Sequence, residues 1–255
     1  MIPQIDEYAY LNSPLHHWDP RVKLAGMGVL IFAFSFVKSL WLLPSMLLVS
    51  AVLYYFSALP LRLLLKSFKI PGLFILMLAL ILPLFYGQNV LIHWGFLAVK
   101  KEGCLQLLII TVKFISIIVV GIILFGSTAF QMNVKAMRAL GLPPILTDMV
   151  LFTYRYFFEF EAMLKTMETA VGLRGFQKNK LSGIKTYAHL AGTMLVRSYE
   201  QSERVYKAMV LRGYGHAVNH STKDEFTAYS PHYLLFCVMI ALAAFFVLAQ
   251  LFSQF

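Results

Sequence analysis

Among the charge-free stretches of this chain, six are strongly apolar: 24–37, 39–61, 70–99, 103–112, 114–134 and 226–255. Their lengths constrain the fold more than any other feature. An ionised side chain at the centre of a bilayer costs about 2.5–3.5 kcal/mol, so charge-free runs mark where a chain can enter lipid. A hydrocarbon core of about 30 Å takes about 20 residues of helix. A soluble globule is excluded by the same residues, because 59% of the chain is hydrophobic and only 13% charged, against about 45–50% and about 25% in soluble domains. Disorder is excluded too, since a chain this rich in Phe, Leu and Ile collapses.

The first two stretches are separated only by Lys38 and together would make a helix of about 50 Å, too long for one crossing. A hairpin at Lys38-Ser39 resolves this, giving a short span over 22–37 and a second over 41–58, with Pro44 in its first turn, where a missing N–H is tolerated. The third span is expected from Ile70-Pro71 to about Tyr86, followed by an interfacial loop over 87–102. A fourth runs from about 106 to 128, with Lys113 snorkelling to the outer interface, and a fifth over about 232–252. No apolar signal-peptide core precedes Asp19, so the N-terminus is expected to stay on the protein.

The net charge of +10 follows the same topology. With the N-terminus inside, the inner segments hold eighteen Lys and Arg and the outer segments three, Lys38, Lys100 and Lys101. That bias predicts five spans, N-terminus in, C-terminus out, in the cytoplasmic membrane. The reading is an all-α polytopic membrane protein with three regions: 1–126 with about four spans, a cytoplasmic helical insert over 127–231, and a last span within 232–255. The insert carries thirteen basic residues among eight acidic ones, too mixed for a nucleic-acid surface.

Within the insert, a short helix over Gln131–Leu140 stops at Gly141-Leu142-Pro143-Pro144. Next comes a helical stripe of Met149, Phe152, Tyr156, Phe160, Met163, Leu164 and Met167, and then a second long helix from about Ile184 to Arg212 with Leu195, Tyr199, Tyr206 and Met209 on one side. The two long helices end alike. Ala170-Val171-Gly172-Leu173-Arg174-Gly175-Phe176 and Ala208-Met209-Val210-Leu211-Arg212-Gly213-Tyr214 share the form A-x-x-L-R-G-[FY]. Each copy puts Arg in the last turn, Gly at the left-handed cap position and an aromatic just beyond. A lone Arg-Gly pair at a helix end needs no more than the helix dipole to explain it. Two copies with a shared aromatic point to a common task, since capping asks for neither Arg nor aromatic. A planar, permanently charged fork at an exposed helix end suits docking into an acidic groove of a partner.

Little else in the chain carries chemistry. Cys104 and Cys237 lie in apolar runs with neither disulfide nor metal spacing. His16-His17, His93, His189, His216 and His220 lack a ligand pattern, because Gly213 and Gly215 break the helix that would align the last two; they read as solvated or interfacial. No G-x-x-x-x-G-K-[ST] phosphate loop occurs, so any ATP-derived energy comes from another subunit. No Asp or Glu lies inside a proposed span, against a self-sufficient proton-coupled carrier. An intramembrane enzyme has Ser127-Thr128 as its nearest nucleophile, with no His or carboxylate beside it in sequence; helix capping explains the pair better.

The sequence resembles the transmembrane T component of energy-coupling factor (ECF) transporters, most closely the cobalt-type CbiQ. The resemblance rests on Tyr10-Leu11-Asn12-Ser13-Pro14-Leu15, Asp19-Pro20-Arg21-Val22-Lys23-Leu24, Leu140-Gly141-Leu142-Pro143, Arg155 with Glu159, and the paired Arg-Gly motifs. In that family the motif is usually Ala-Arg-Gly or Xaa-Arg-Gly; here Leu173 and Leu211 hold the first position. The resemblance implies a non-catalytic scaffold without cofactor or metal site of its own, with Leu173, Arg174, Gly175, Leu211, Arg212 and Gly213 at two coupling-helix ends that dock on ABC-type ATPase subunits. It further implies a separate substrate-binding membrane subunit of metal-binding type, and uptake of cobalt or nickel ions for uses such as cobalamin synthesis. Vitamin importers built on the same T component are the alternative.

Overall fold

The computed structural model describes residues 13–85, 90–94, 97–175, 182–214 and 233–252. Among them are eight α-helices: α1 (Pro20–Phe36), α2 (Leu43–Ser57), α3 (Leu61–Phe85), α4 (Lys101–Gly126), α5 (Phe130–Ala139), α6 (Pro144–Leu173), α7 (Ser182–Leu211) and α8 (Tyr233–Phe252). Two short strands, β1 (Val90–Trp94) and β2 (Leu97–Lys100), pair antiparallel between α3 and α4, where the sequence suggested only a loop. The chain divides into two compact units. One holds α1–α5, the hairpin and α8; the other holds α6 and α7.

Four segments of the first unit are long and apolar enough to cross a bilayer: Leu40–Ser57, Leu61–Pro83, Lys101–Gly126 and Leu235–Phe252. The fold is thus the all-α polytopic architecture that the charge-free stretches require. Helix α1, at 17 residues, spans about 25 Å, at the short end of what a bilayer takes. It is the hub of the unit. Met27, Leu30, Ala33 and Phe34 are buried, and α1 packs on α8, α4 and α5.

Two element starts differ from the sequence reading. Helix α3 begins at Leu61 rather than Ile70, and α4 at Lys101 rather than about 106. Charge exclusion fails at helix ends because Lys and Arg stems reach along the helix to place their heads in the headgroup layer. Pro71 and Pro83 both lie inside α3. A helix in lipid continues through proline because neighbouring groups make up the lost backbone bond.

Polar side chains fix the ends of α1. Asp19 caps its start, accepting from Arg21 N–H at 2.9 Å, with Pro20 at the first helical position. Lys23, only 2% exposed, donates from Nζ to Leu15 O (3.0 Å), Ser127 O (3.1 Å) and Thr128 Oγ1 (2.8 Å). One ammonium thereby ties the segment before α1 to the α4–α5 turn. Asn133 of α5 extends the cluster, donating to Thr128 O at 3.3 Å.

At the other end of α1, Gln250 of α8 accepts from the backbone N–H groups of Lys38 (2.7 Å) and Ser39 (3.0 Å), clasping the α1–α2 turn. Lys113 of α4 reaches Ser35 O at 2.6 Å, so its ammonium serves the last turn of α1.

Between these ends the α1–α8 contact is tight. Phe34 meets Phe246 edge to face at 5.2 Å, and a Cβ on Gly26 would lie 3.4 Å from Met239 Cβ. Gly26→Ala is expected to be tolerated, whereas Gly26→Leu overpacks the contact and costs about 1–3 kcal/mol. Thermal unfolding in detergent checks this; a wild-type midpoint for the leucine variant contradicts it.

Candidate functional site

The second unit is a pair of 30-residue helices, each about 45 Å long. Pro143 and Pro144 start α6, since proline suits a first helical turn. Exposed surface pairs Glu161–Lys165, Glu200–Arg204 and Glu203–Lys207 all place Glu four residues before the cation, the favourable order on a helix.

The helices run antiparallel. A crevice of about 420 Å³ is lined by Phe152, Tyr156 and Phe160 from α6 and by Ser198, Val205 and Met209 from α7. A second opens between Phe160, Leu164 and Glu168 on α6 and Tyr187, Met194 and Ser198 on α7. Later residues of α6 therefore face earlier residues of α7. Gln201 Nε2 donates to Glu159 Oε1 across the pair at 3.4 Å.

Phe152, Tyr156, Phe160 and Leu164 of the α6 stripe read from the sequence face α7, and of the α7 stripe Leu195 and Met209 line the same crevices while Tyr199 and Tyr206 do not. Leu195, Tyr199 and Tyr206 are 60% or more exposed, and much of the α6-facing surface is Ala191, Ser198, Gln201 and Ser202. Hydropathy overlooks small and polar residues that allow close approach.

Antiparallel packing separates the two arginine motifs. The end of α7 returns to the start of α6, where Tyr214 Oη donates to Asp148 Oδ2 at 3.2 Å. The end of α6 lies 26 residues of helix beyond Asp148, about 40 Å away. Partial burial, then the Asp148 carboxylate, push the Tyr214 phenol above its ordinary pKa and keep it a donor.

Local geometry at both ends follows from glycine. Gly175 and Gly213 sit at φ +84° and +85°, a conformation that costs an L-residue about 1–2 kcal/mol. At α7 the cap is a complete Schellman motif: Gly213 N–H donates to Val210 O and Tyr214 N–H to Met209 O, both at 3.0 Å. At α6, Gly175 N–H donates to Gly172 O at 3.1 Å. The turned backbone leaves Arg174 and Arg212 exposed, and among the described residues neither guanidinium has a partner. Leu173 and Leu211, 86% and 88% exposed, stand beside them. Each end thus presents a free cationic fork next to an uncovered apolar side chain, a combination that fits an acidic groove with an apolar wall. Phe176 lies outside the described residues.

The remaining candidates have structural employment. Ser127 Oγ bonds back to Ile123 O and Thr128 Oγ1 accepts from Lys23, so neither is a nucleophile beside a base. Arg155 lies over the Tyr156 ring at 5.9 Å, and Glu159 holds Gln201. His16 Nδ1 is bonded to Ser13 Oγ at 2.6 Å, and His189 is exposed. The side chains of His17, His93, His216 and His220 lie outside the described residues. Among those described, no three His, Cys, Asp or Glu gather as a metal site would need. Sequence reasoning missed the Lys23 junction and the Tyr214–Asp148 bond, whose partners lie 104 and 66 residues apart.

Residues 11–223 match the profile of the CbiQ family, described as cobalt transport protein. Curated relatives include the energy-coupling factor transporter transmembrane protein EcfT of Staphylococcus aureus, 26% identical over 82% of this chain and 83% of that one. The EcfT of Limosilactobacillus fermentum is 22% identical over 94% and 95%. That of Ruminiclostridium cellulolyticum is 32% identical over 39% and 37%. With most of its length matched, the chain belongs to the CbiQ family and is a multi-pass membrane subunit of the T-component type of energy-coupling factor transporters.

Proposed function

We propose that this chain couples ABC-type ATPase subunits to a separate substrate-binding membrane subunit, for import of cobalt or a chemically similar divalent ion. The observation that supports this best is the pair of exposed Arg-Gly helix ends held at opposite ends of one antiparallel unit. Two equivalent docking points about 40 Å apart suit two ATPase subunits, each receiving one arginine with its neighbouring leucine. Nucleotide-driven closure of the ATPases would shift both ends together. Helix α6, joined to α5 through Gly141-Leu142-Pro143, would carry that motion to the membrane helices and the substrate-binding subunit.

In this reading the N-terminus and residues 127–231 face the cytoplasm, the chain sits in the cytoplasmic membrane, and ATP is hydrolysed on the partners. The excess of Lys and Arg in the inner segments supports the orientation. The cargo assignment rests on the family's description as a cobalt transport protein and on the N-terminal Asp19-Pro20-Arg21-Val22-Lys23-Leu24 segment.

The test is uptake by cells lacking their own importer, given this chain with the ATPase and membrane subunit encoded beside it. ATP-dependent accumulation of radioactive cobalt, with ATPase in the purified complex, is expected. Accumulation of a vitamin with no cobalt uptake would overturn the cargo, and a complex without ATPase would overturn the coupling.

A further inference from the structure

We propose that the two arginine ends are not interchangeable: the Tyr214–Asp148 hydrogen bond latches the Arg212 end of α7 onto the first turns of α6 and holds that arginine ready for its groove, a phenol–carboxylate pair that the matching motif positions, Phe176 and Thr186, cannot form. This rests on the reading that both arginines dock on ATPase subunits.

The asymmetry starts in the sequence. The motif ends in Tyr at 214 and Phe at 176, and only the tyrosine has a hydroxyl to donate. The acceptor differs as well. Asp148 is the fifth residue of α6, and the fifth residue of α7 is Thr186, which carries no charge. Both halves of the latch thus exist at one end of the helix pair only.

Backbone geometry makes the latch act on the arginine. Tyr214 is two residues beyond Arg212, and its own N–H closes the α7 cap on Met209 O, while Gly213 closes on Val210 O. With those bonds made, little freedom remains between the tyrosine and the arginine. Pinning the ring to Asp148 therefore also fixes where the guanidinium stem leaves the helix. The acceptor is a carboxylate, which strengthens the bond. A docking residue held in place before its partner arrives loses less conformational freedom on binding.

Each end can be read alone by reversing the other arginine. In full-length chain in nanodiscs, affinity for the ABC ATPase that co-purifies with it is measured in an Arg174→Glu background, where Arg212 does the docking, and in an Arg212→Glu background. Tyr214→Phe keeps the ring and removes the donor. It is expected to weaken binding about three- to tenfold in the first background, as loss of one hydrogen bond does, and to leave the second unchanged.

Asp148→Ala, alone and combined with Tyr214→Phe, completes a double-mutant cycle in the Arg174→Glu background. The two losses are expected not to add. Equal effects in both backgrounds, no effect in either, or additive losses overturn the latch. Binding that ignores both arginine reversals overturns the coupling reading instead.

Discussion

Reversing both arginines, Arg174→Glu with Arg212→Glu, is expected to strip the ATPase from the purified complex and abolish ATP-driven uptake. Truncating one partner of a buried interfacial charge pair costs about 2–5 kcal/mol. At about 1.36 kcal/mol per tenfold, that is roughly 30- to 5,000-fold per site. Reversal adds repulsion from the acidic groove, so the double variant lies beyond the range of a moderate complex. Each single variant keeps one contact and should retain ATPase at reduced occupancy. Both arginines are exposed and make no bond among the described residues, so the variants are expected to fold normally and the loss reads on docking. Size-exclusion stoichiometry and transport are the measurements. Undiminished ATPase content in the double variant would sink the assignment.

Lys23→Met should destabilise the membrane unit. Methionine fills nearly the same volume, so packing is kept and what is removed is the ammonium with its three hydrogen bonds. Ser127 O is left in a dry site, at about 1–3 kcal/mol for an unsatisfied group, while Leu15 O keeps the Trp18 N–H at 3.4 Å and the Thr128 hydroxyl can rotate to another acceptor. The loss is about 1–3 kcal/mol, or a fall of roughly 2–12 °C in Tm for a domain of this size. Lys23→Arg should not rescue it, since a planar fork cannot meet acceptors arranged around a single nitrogen. Tryptophan fluorescence during heating measures the change. A Lys23→Met variant melting with the wild type would show that the junction contributes little.

These two sites show what a single sequence exposes and what it hides. The arginine ends were legible because everything that defines them is local. Gly175 and Gly213 stop their helices within three residues of the bonds that cap them, and the repeat is visible by eye. The Lys23 junction was not. Asp19-Pro20-Arg21-Val22-Lys23 shows a cap and a helix start, but two of the three acceptors of Lys23 sit beyond three intervening helices. Ser127-Thr128, weighed as a remote candidate for a nucleophile, turns out to serve that lysine.

Charge-free stretches placed the apolar helices in order, four of them rather than five long and apolar enough to cross a bilayer, but misplaced the start of α3, because Arg62, Lys66 and Lys69 lie on its first turns. Hydropathy likewise found most of the α6 face and only part of that of α7, where serine and alanine join Leu195 and Met209 against the partner helix.

The clasp of Gln250 on Lys38 and Ser39 has a bearing on how the protein is made. Helix α8 leaves the ribosome after α6 and α7, yet it covers the largest share of α1 and supplies the acceptor for the α1–α2 turn. During synthesis, α1 therefore enters the membrane with one side facing lipid and two turn N–H groups unmatched. The membrane unit closes only after the whole cytoplasmic helix pair has been translated, so a chain that stalls in α6 or α7 remains open and recognisable to the quality-control proteases of the membrane.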